Sequence, residues 1–207
     1  MRSTLFQLKF AGPLAVEAVI GKDHIEYQHT VPTLDAYAVE YFAVQVGPLH
    51  CLEGSSDRIV GNVLHLRSAF DLKPHACTLL INFHGIRDYA RLFPRCQSAD
   101  MAIRLGQYYE EAEKCFEQAA WLSFALMCGA VFEGLLFSKV GGSEDRFESL
   151  IDRARAQGAV TDDEALVLHK VRGFRNLVHA KRVHESYVSR ADAMDTRRVL
   201  DRLVKAI

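Results

Sequence analysis

The stretch TDDEALVLHKVRGFRNLVHAKR, residues 161–182, guides the interpretation of the C-terminal half of this 207-residue chain. Thr161 and Glu164 have the spacing of a capping box, so the sequence predicts a helix that begins here. The apolar side chains recur at helical spacing and form one stripe, which comprises Val167, Val171, Phe174 and Val178. We therefore predict one amphipathic helix that continues to Arg182.

A second, polar stripe follows beside the apolar one: Arg172, Arg175, Asn176 and His179. Residues three and four apart are neighbours on a helix surface, so these side chains are expected to project in roughly one direction. Arginine binds phosphate oxygens in a bidentate manner, and histidine can take and give a proton near neutral pH. The alternative is a bundle helix whose polar side simply faces water, which is the common role of a charged stripe.

Composition and charge narrow the classes of protein. The chain has 25 lysines and arginines against 26 acidic residues, so a nucleic-acid contact would need a local basic patch. The N-terminal residues lack the continuous apolar core of a signal peptide. The five cysteines form no CxxC pair, and reduced thiols in a cytoplasmic protein are the simplest interpretation, with Cys51 structural.

Residues 1–95 and residues 100–207 differ in pattern, and together they predict an α+β protein. Alternating apolar residues indicate a mainly antiparallel β or α+β domain over residues 1–95. The predicted strands lie near residues 6–10, 25–30, 36–46, 59–66 and 77–83. The junction is expected at residues 92–98, where Pro94 disfavours helix just before it and Ser98 can cap the next helix.

Residues 100–207 are predicted to form a helical bundle. The run from Asp100 to Val140 is either one very long helix or two helices that meet near Gln118, and Gly141-Gly142 ends it. Shorter helices follow over residues 143–158 and 189–207. Residues 119–137 are apolar and about as long as a membrane span, but Glu133 interrupts them. We favour a buried helix of a soluble bundle, with Glu133 inside it. Its partner would be Arg172 or Arg175, and the alternative is that Glu133 lies at the edge of the bundle.

Nucleotide and metal signatures are missing from the sequence. It contains no GxGxxG motif, no Walker lysine loop and no HExxH motif, so we expect no cofactor and no metal. His75, Cys77 and His84 could meet around a metal ion, although residues of these types on strands more often have ordinary structural roles.

The C-terminal half resembles the HEPN superfamily (higher eukaryotes and prokaryotes nucleotide-binding domains), in particular its prokaryotic Arg-Asn…His members. The resemblance rests on AVFEGLLF at residues 130–137, FESLIDRARAQG at residues 147–158 and VRGFRNLVHA at residues 171–180. The family motif is an arginine, usually followed by a polar residue, with four to six residues before a histidine. Here three residues separate Arg175 from His179, and six separate Arg172 from His179.

The resemblance implies a helical bundle that dimerises and, in active members, a metal-independent endoribonuclease. Carried onto this sequence, it implies that Arg175, Asn176 and His179 are catalytic. Arg172, Lys181 and Arg182 are then expected to bind substrate. His179 would act as general base or acid, and Arg175 would stabilise charge on the scissile phosphate. Cleavage needs both a base and an acid, and a two-fold dimer would supply the second histidine for this purpose.

Three functional hypotheses follow. The first is an RNA-cleaving protein, such as a toxin or an antiviral defence component. The second is a catalytically silent HEPN-like binding or assembly module whose N-terminal domain recognises a protein or nucleic-acid partner. The third is a purely structural dimer of helical bundles. In all three hypotheses we expect a homodimer that is not in a membrane.

Overall fold

The computed structural model describes residues 1–20, 24–48, 50–52, 57–141 and 146–207, with the backbone alone at 18–20 and 50–52. The chain divides into an N-terminal unit, Met1–Asp88, and a C-terminal unit, Tyr89–Ile207. In the described residues the first unit contains antiparallel strands and the second contains five α-helices, so the predicted α+β fold class is confirmed. The units join at residues 88 and 89, whereas the sequence pattern indicated residues 92–98.

Among the residues that the structure describes, the N-terminal unit contains two four-stranded sheets, in which every neighbouring pair of strands is antiparallel. The strands are β1 (Arg2–Leu8), β2 (Ala15–Ile20), β3 (Ile25–Thr30), β4 (Tyr37–Val46), β5 (His50–Leu52), β6 (Arg58–Val60), β7 (Val63–Ser68) and β8 (Cys77–Ile86). One sheet has the order β1-β8-β4-β5 and the other has the order β2-β3-β7-β6.

The predicted strands near residues 25–30, 36–46 and 77–83 are confirmed, but the other strands need correction. The strand predicted at residues 6–10 runs over Arg2–Leu8, and β2 and β5 were not predicted. The predicted strand at residues 59–66 is two strands, β6 and β7, which form a hairpin. The chain reverses at Gly61, whose φ of +61° lies in the left-handed region that glycine adopts without steric cost. The side chain of Cys51, predicted to be structural, lies outside the described residues.

His29 is a buried histidine in the core of the N-terminal unit. It is 4% exposed, its ring packs edge-on against Phe10, and its Nε2 accepts a hydrogen bond from the backbone N–H of Lys9 at 3.3 Å. Burial lowers the pKa of His29, and the backbone contacts with Thr30 and Lys9 oppose that shift in part. The neutral imidazole is therefore the form that the fold requires.

We predict that acid weakens the N-terminal unit through His29. Because the folded-state pKa lies below the unfolded value, the contribution of His29 to stability is complete above the unfolded pKa of about 6.5. It is lost as the pH falls from there through the folded pKa, with a slope of at most about 1.4 kcal/mol per pH unit. Urea unfolding followed by circular dichroism from about pH 7.5 to about pH 5.5, across the ordinary histidine range, measures it.

His29→Gln keeps an acceptor for Lys9 and removes the titrating ring, so it should flatten the pH dependence. His65→Gln, at a half-buried position on β7, is the matched control and should leave the dependence intact. An unchanged pH profile in His29→Gln would contradict the assignment.

The C-terminal unit contains α1 (Ala99–Glu117), α2 (Trp121–Val140), α3 (Phe147–Ala156), α4 (Asp162–Phe174) and α5 (Arg190–Ala206). The run from residue 100 to residue 140 is two helices, and the break includes Ala119 at a φ of 55°. Ser98 caps α1 by accepting a hydrogen bond from the backbone N–H of Met101, as predicted. Gly141 follows the last residue of α2, and Gly142 lies outside the described residues.

Helix α2 is apolar on nearly all sides because it is covered on nearly all sides. It packs against the other four α-helices, and Ser123 and Lys139 are its only two exposed residues. Its length and composition alone would allow it to cross a membrane, and 44% of its most apolar window is buried. A core helix of a soluble bundle passes the same test, and the packing of α2 is consistent with that role.

Candidate functional site

The stretch of residues 161–182 begins as predicted but does not remain one helix. Thr161 and Glu164 form a complete capping box at the start of α4. The α-helix then ends at Phe174 and is followed by a 3₁₀ turn, Arg175–Val178. His179 has an extended backbone, with φ −87° and ψ 110°, and a second 3₁₀ turn covers Ala180–Arg182. The prediction of an α-helix to Arg182 is therefore wrong.

The helix ends where its packing ends. Phe174 is buried, whereas Val178, predicted to continue the apolar stripe, is 55% exposed. From residue 175 to residue 187 no side chain is buried, so this stretch lacks the buried apolar face that stabilises most protein helices. Gly173, just before the end, also raises the conformational cost of continuing the helix. The i, i+4 relation expected between Arg175 and His179 is consequently not realised on an α-helix.

Arg175 is held by α2. Its Nη2 donates to the Glu133 carboxylate at 2.5 Å, and its guanidinium carbon lies 5.7 Å from the centre of the Phe147 ring. The predicted partnership of Glu133 with Arg172 or Arg175 is thus confirmed for Arg175. The side chain of Glu133 is 38% exposed, so the pair lies at the surface of the bundle and the expectation that Glu133 lies inside it is wrong. The other N–H groups of this guanidinium make no hydrogen bond within the described part of the chain.

Arg172 is held by α3 in a different way. Its Nη1 and Nη2 donate to the two carboxylate oxygens of Glu148, each at 3.1 Å, which is a bidentate pair. Its Nε is buried and makes no hydrogen bond in the described structure. Arg172 and Arg175, predicted to share one stripe, therefore contact acidic residues from two different helices.

The remaining predicted site residues lie in the two 3₁₀ turns and at the residue between them. Asn176, His179 and Lys181 are exposed, and their side chains make no hydrogen bond or ion pair with any described residue. The backbone carbonyl of Asn176 accepts from the N–H of His179 at 3.2 Å. Arg182 pairs with Glu185. The imidazole and the amide are therefore open to solvent beside Arg175 in the chain.

The two 3₁₀ turns and the residue between them differ in charge from the chain as a whole. Residues 175–182, called the motif segment from here on, contain two arginines, one lysine and no carboxylate. The whole chain, by comparison, has a formal net charge of −1. Two of these cations pair with carboxylates outside the motif segment, Arg175 with Glu133 and Arg182 with Glu185, so its positive charge is partly compensated in the folded chain.

The residues considered for a metal do not form a site. Cys77 is buried at the start of β8, whereas His84 is exposed and lies 3.0 Å from the Glu40 carboxylate. Across the described residues, no group of three or more His, Cys, Asp or Glu side chains could hold a metal ion.

Residues 110–207 match the model of a domain of unknown function, DUF4145. The match covers slightly less than half of the chain and includes every predicted site residue, together with all of α2–α5. No curated protein and no solved structure matches the chain.

Phe147 and Glu148 are parts of the site in the DUF4145 segment to which sequence reasoning assigned no role. Both lie in the first turn of α3 and contact Arg175 and Arg172 respectively. The sequence feature that pointed to such partners was the presence of Arg172 and Arg175, because a guanidinium on a folded helix commonly pairs with a carboxylate or stacks on an aromatic face. It could not indicate which acidic residue would be the partner.

Proposed function

We propose that the C-terminal unit is a metal-independent endoribonuclease of HEPN type that binds RNA at the motif segment. One observation carries the proposal. Glu133 holds one edge of the Arg175 guanidinium while its other N–H groups stay unpaired among the described residues, and His179 stands exposed four residues further on. This combination offers a fixed phosphate ligand and an accessible proton-transfer group on one short segment.

The chemistry would use the RNA's own nucleophile. A histidine acting as base takes the proton of the 2′-hydroxyl, and the 2′-oxygen attacks the adjacent phosphorus. The bond to the 5′-oxygen then breaks, and an acid returns a proton to that leaving oxygen. Arg175 stabilises the negative charge that develops on the phosphate oxygens, because preorganised donors act most strongly where charge develops. Asn176 positions the histidine or a phosphate oxygen.

The reaction needs both a base and an acid, but the motif segment contains a single histidine, His179. A homodimer that brings two motif segments together around a two-fold axis would supply both. Arg172, Lys181 and Arg182 would bind neighbouring phosphates and orient the chain. Such a protein would work in the cytoplasm, as a toxin or as an antiviral defence component.

A second candidate is a catalytically silent binding or assembly module. It is favoured by exposed apolar side chains in and after the motif segment: Val178 at 55%, Val183 at 74% and Tyr187 at 67% exposure. Exposed apolar side chains next to basic residues are suited to a protein or nucleic-acid partner as well as to a substrate. In this candidate the N-terminal unit would recognise a partner.

The reaction chemistry tests the proposal directly. We expect the purified protein to cut single-stranded RNA into products with a 2′,3′-cyclic phosphate, which mass spectrometry identifies. An oligonucleotide with 2′-deoxyribose at the cut position should resist, because it lacks the nucleophile. Activity should survive a chelator, because the proposed proton transfers and charge stabilisation use His179 and Arg175. Cutting of the 2′-deoxy substrate would contradict the mechanism, and binding of RNA without cutting would support the second candidate.

A further inference from the structure

The two arginines of the site differ in how much of each guanidinium is occupied. Arg175 uses one amino group on Glu133, whereas Arg172 uses both amino groups on Glu148. Phe147 and Glu148 are consecutive residues, so both guanidinium groups lie at the N-terminal end of α3. The contacts of both arginines therefore involve the first turn of α3.

We propose that Glu148 occupies the phosphate-binding position of Arg172 until a polyanion displaces the carboxylate. The proposal rests on the proposed function, in which an RNA phosphate lies at Arg175. Carboxylate and phosphate bind the arginine fork with the same bidentate geometry, so they compete for one position. Glu148 thereby sets how tightly the site binds a chain with consecutive phosphates.

The Glu148 carboxylate can leave because its pair is exposed to solvent. The side chains of Arg172 and Glu148 are 41% and 52% exposed, and pairs of that exposure contribute little to stability in water. The carboxylate binds Nη1 and Nη2 of Arg172, whereas the Nε is buried and makes no hydrogen bond among the described residues, so a competing phosphate would have to take the same two amino groups. A ligand anchored at Arg175 presents its next phosphate at high local concentration, which favours displacement.

The test measures binding of a short fluorescent oligouridine with 2′-O-methyl groups, which cannot be cut, at one fixed buffer composition. The variants are Glu148→Gln, Arg172→Gln and the double variant. Asp152→Asn is the matched control, since Asp152 lies one turn further along α3 and its carboxylate is 3.4 Å from His169 instead of an arginine. Like Glu148→Gln, Asp152→Asn removes one negative charge from α3.

We expect Glu148→Gln to bind the oligonucleotide about fivefold more tightly than the natural protein, which corresponds to the upper range for an exposed ion pair. Asp152→Asn should change the logarithm of the affinity by less than half as much as Glu148→Gln does. The gain in affinity should vanish when Arg172→Gln is added, because there is then no guanidinium at residue 172 from which Glu148 could exclude a phosphate. Circular dichroism and thermal melting of each variant confirm that it is folded.

Equal gains in Glu148→Gln and Asp152→Asn would overturn the inference, since general charge would then explain both. A gain that persists in the double variant would overturn it as well, and so would the absence of binding by every variant. RNA cutting by the natural protein is measured separately, so the proposed function can stand when this inference fails. Loss of that cutting activity is in turn distinguishable from a change in affinity.

Discussion

His179→Ala is expected to reduce RNA cutting by at least about a hundredfold while leaving the protein folded, because proton transfer by a positioned histidine contributes about 10² to 10⁴ to a rate. The side chain is exposed and makes no hydrogen bond with the described residues. Its removal should therefore change the free energy of unfolding by about 0.5 kcal/mol or less, as is usual for surface positions. Single-turnover cutting of a labelled RNA measures the rate, and thermal melting measures the stability.

The matched control for this prediction is His184→Ala. His184 is also exposed and lies five residues further along the same connection between α4 and α5. The two variants remove the same ring from similar surroundings, so only a specific role of His179 separates their rates. Full activity in His179→Ala would remove this residue from the mechanism and would favour the binding module.

Arg175→Lys is expected to lose about a hundredfold in cutting rate, the size of effect seen when one preorganised donor to developing charge is removed. The guanidinium can bind Glu133 with one edge and a phosphate with its remaining N–H groups at the same time. Lysine keeps the charge but has a single nitrogen and loses the planar fork, and it also loses the guanidinium's stacking on Phe147.

Arg190→Lys is the control for this substitution, because Arg190 is an exposed arginine at the first residue of α5, outside the motif segment. Its rate should equal that of the natural protein. If Arg175→Lys also keeps the full rate, a point charge is sufficient and bidentate phosphate binding by Arg175 is excluded.

The parts of the fold that local chemistry determines could be predicted from the sequence. Ser98 and Thr161 were recognisable as helix caps because their side-chain oxygens accept from backbone N–H groups three residues on. The partner of Glu133 could be narrowed to two arginines, because a carboxylate in an apolar helix needs a compensating group. In each case a local requirement had few possible solutions.

The sequence-based prediction failed at features that tertiary packing determines. Val178 fits the helical stripe of α4 in the sequence, but it is exposed and does not extend the helix. Periodicity records which side chains could face a core and cannot show whether another element covers them. The Arg172–Glu148 pair was equally beyond the sequence, because both side chains are partly exposed and neither requires the other.

The motif segment has no buried side chain of its own, and its described side-chain ion pairs and ring contacts are those of two arginines: Arg175 with Glu133 and the Phe147 ring, and Arg182 with Glu185. Contacts between exposed charges weaken as ionic strength rises, because mobile ions screen them over about 8 Å at physiological ionic strength. Added salt therefore acts on this segment twice. It weakens the ion pair between Arg175 and Glu133 on α2, and it weakens the attraction of the same arginine for a polyanion.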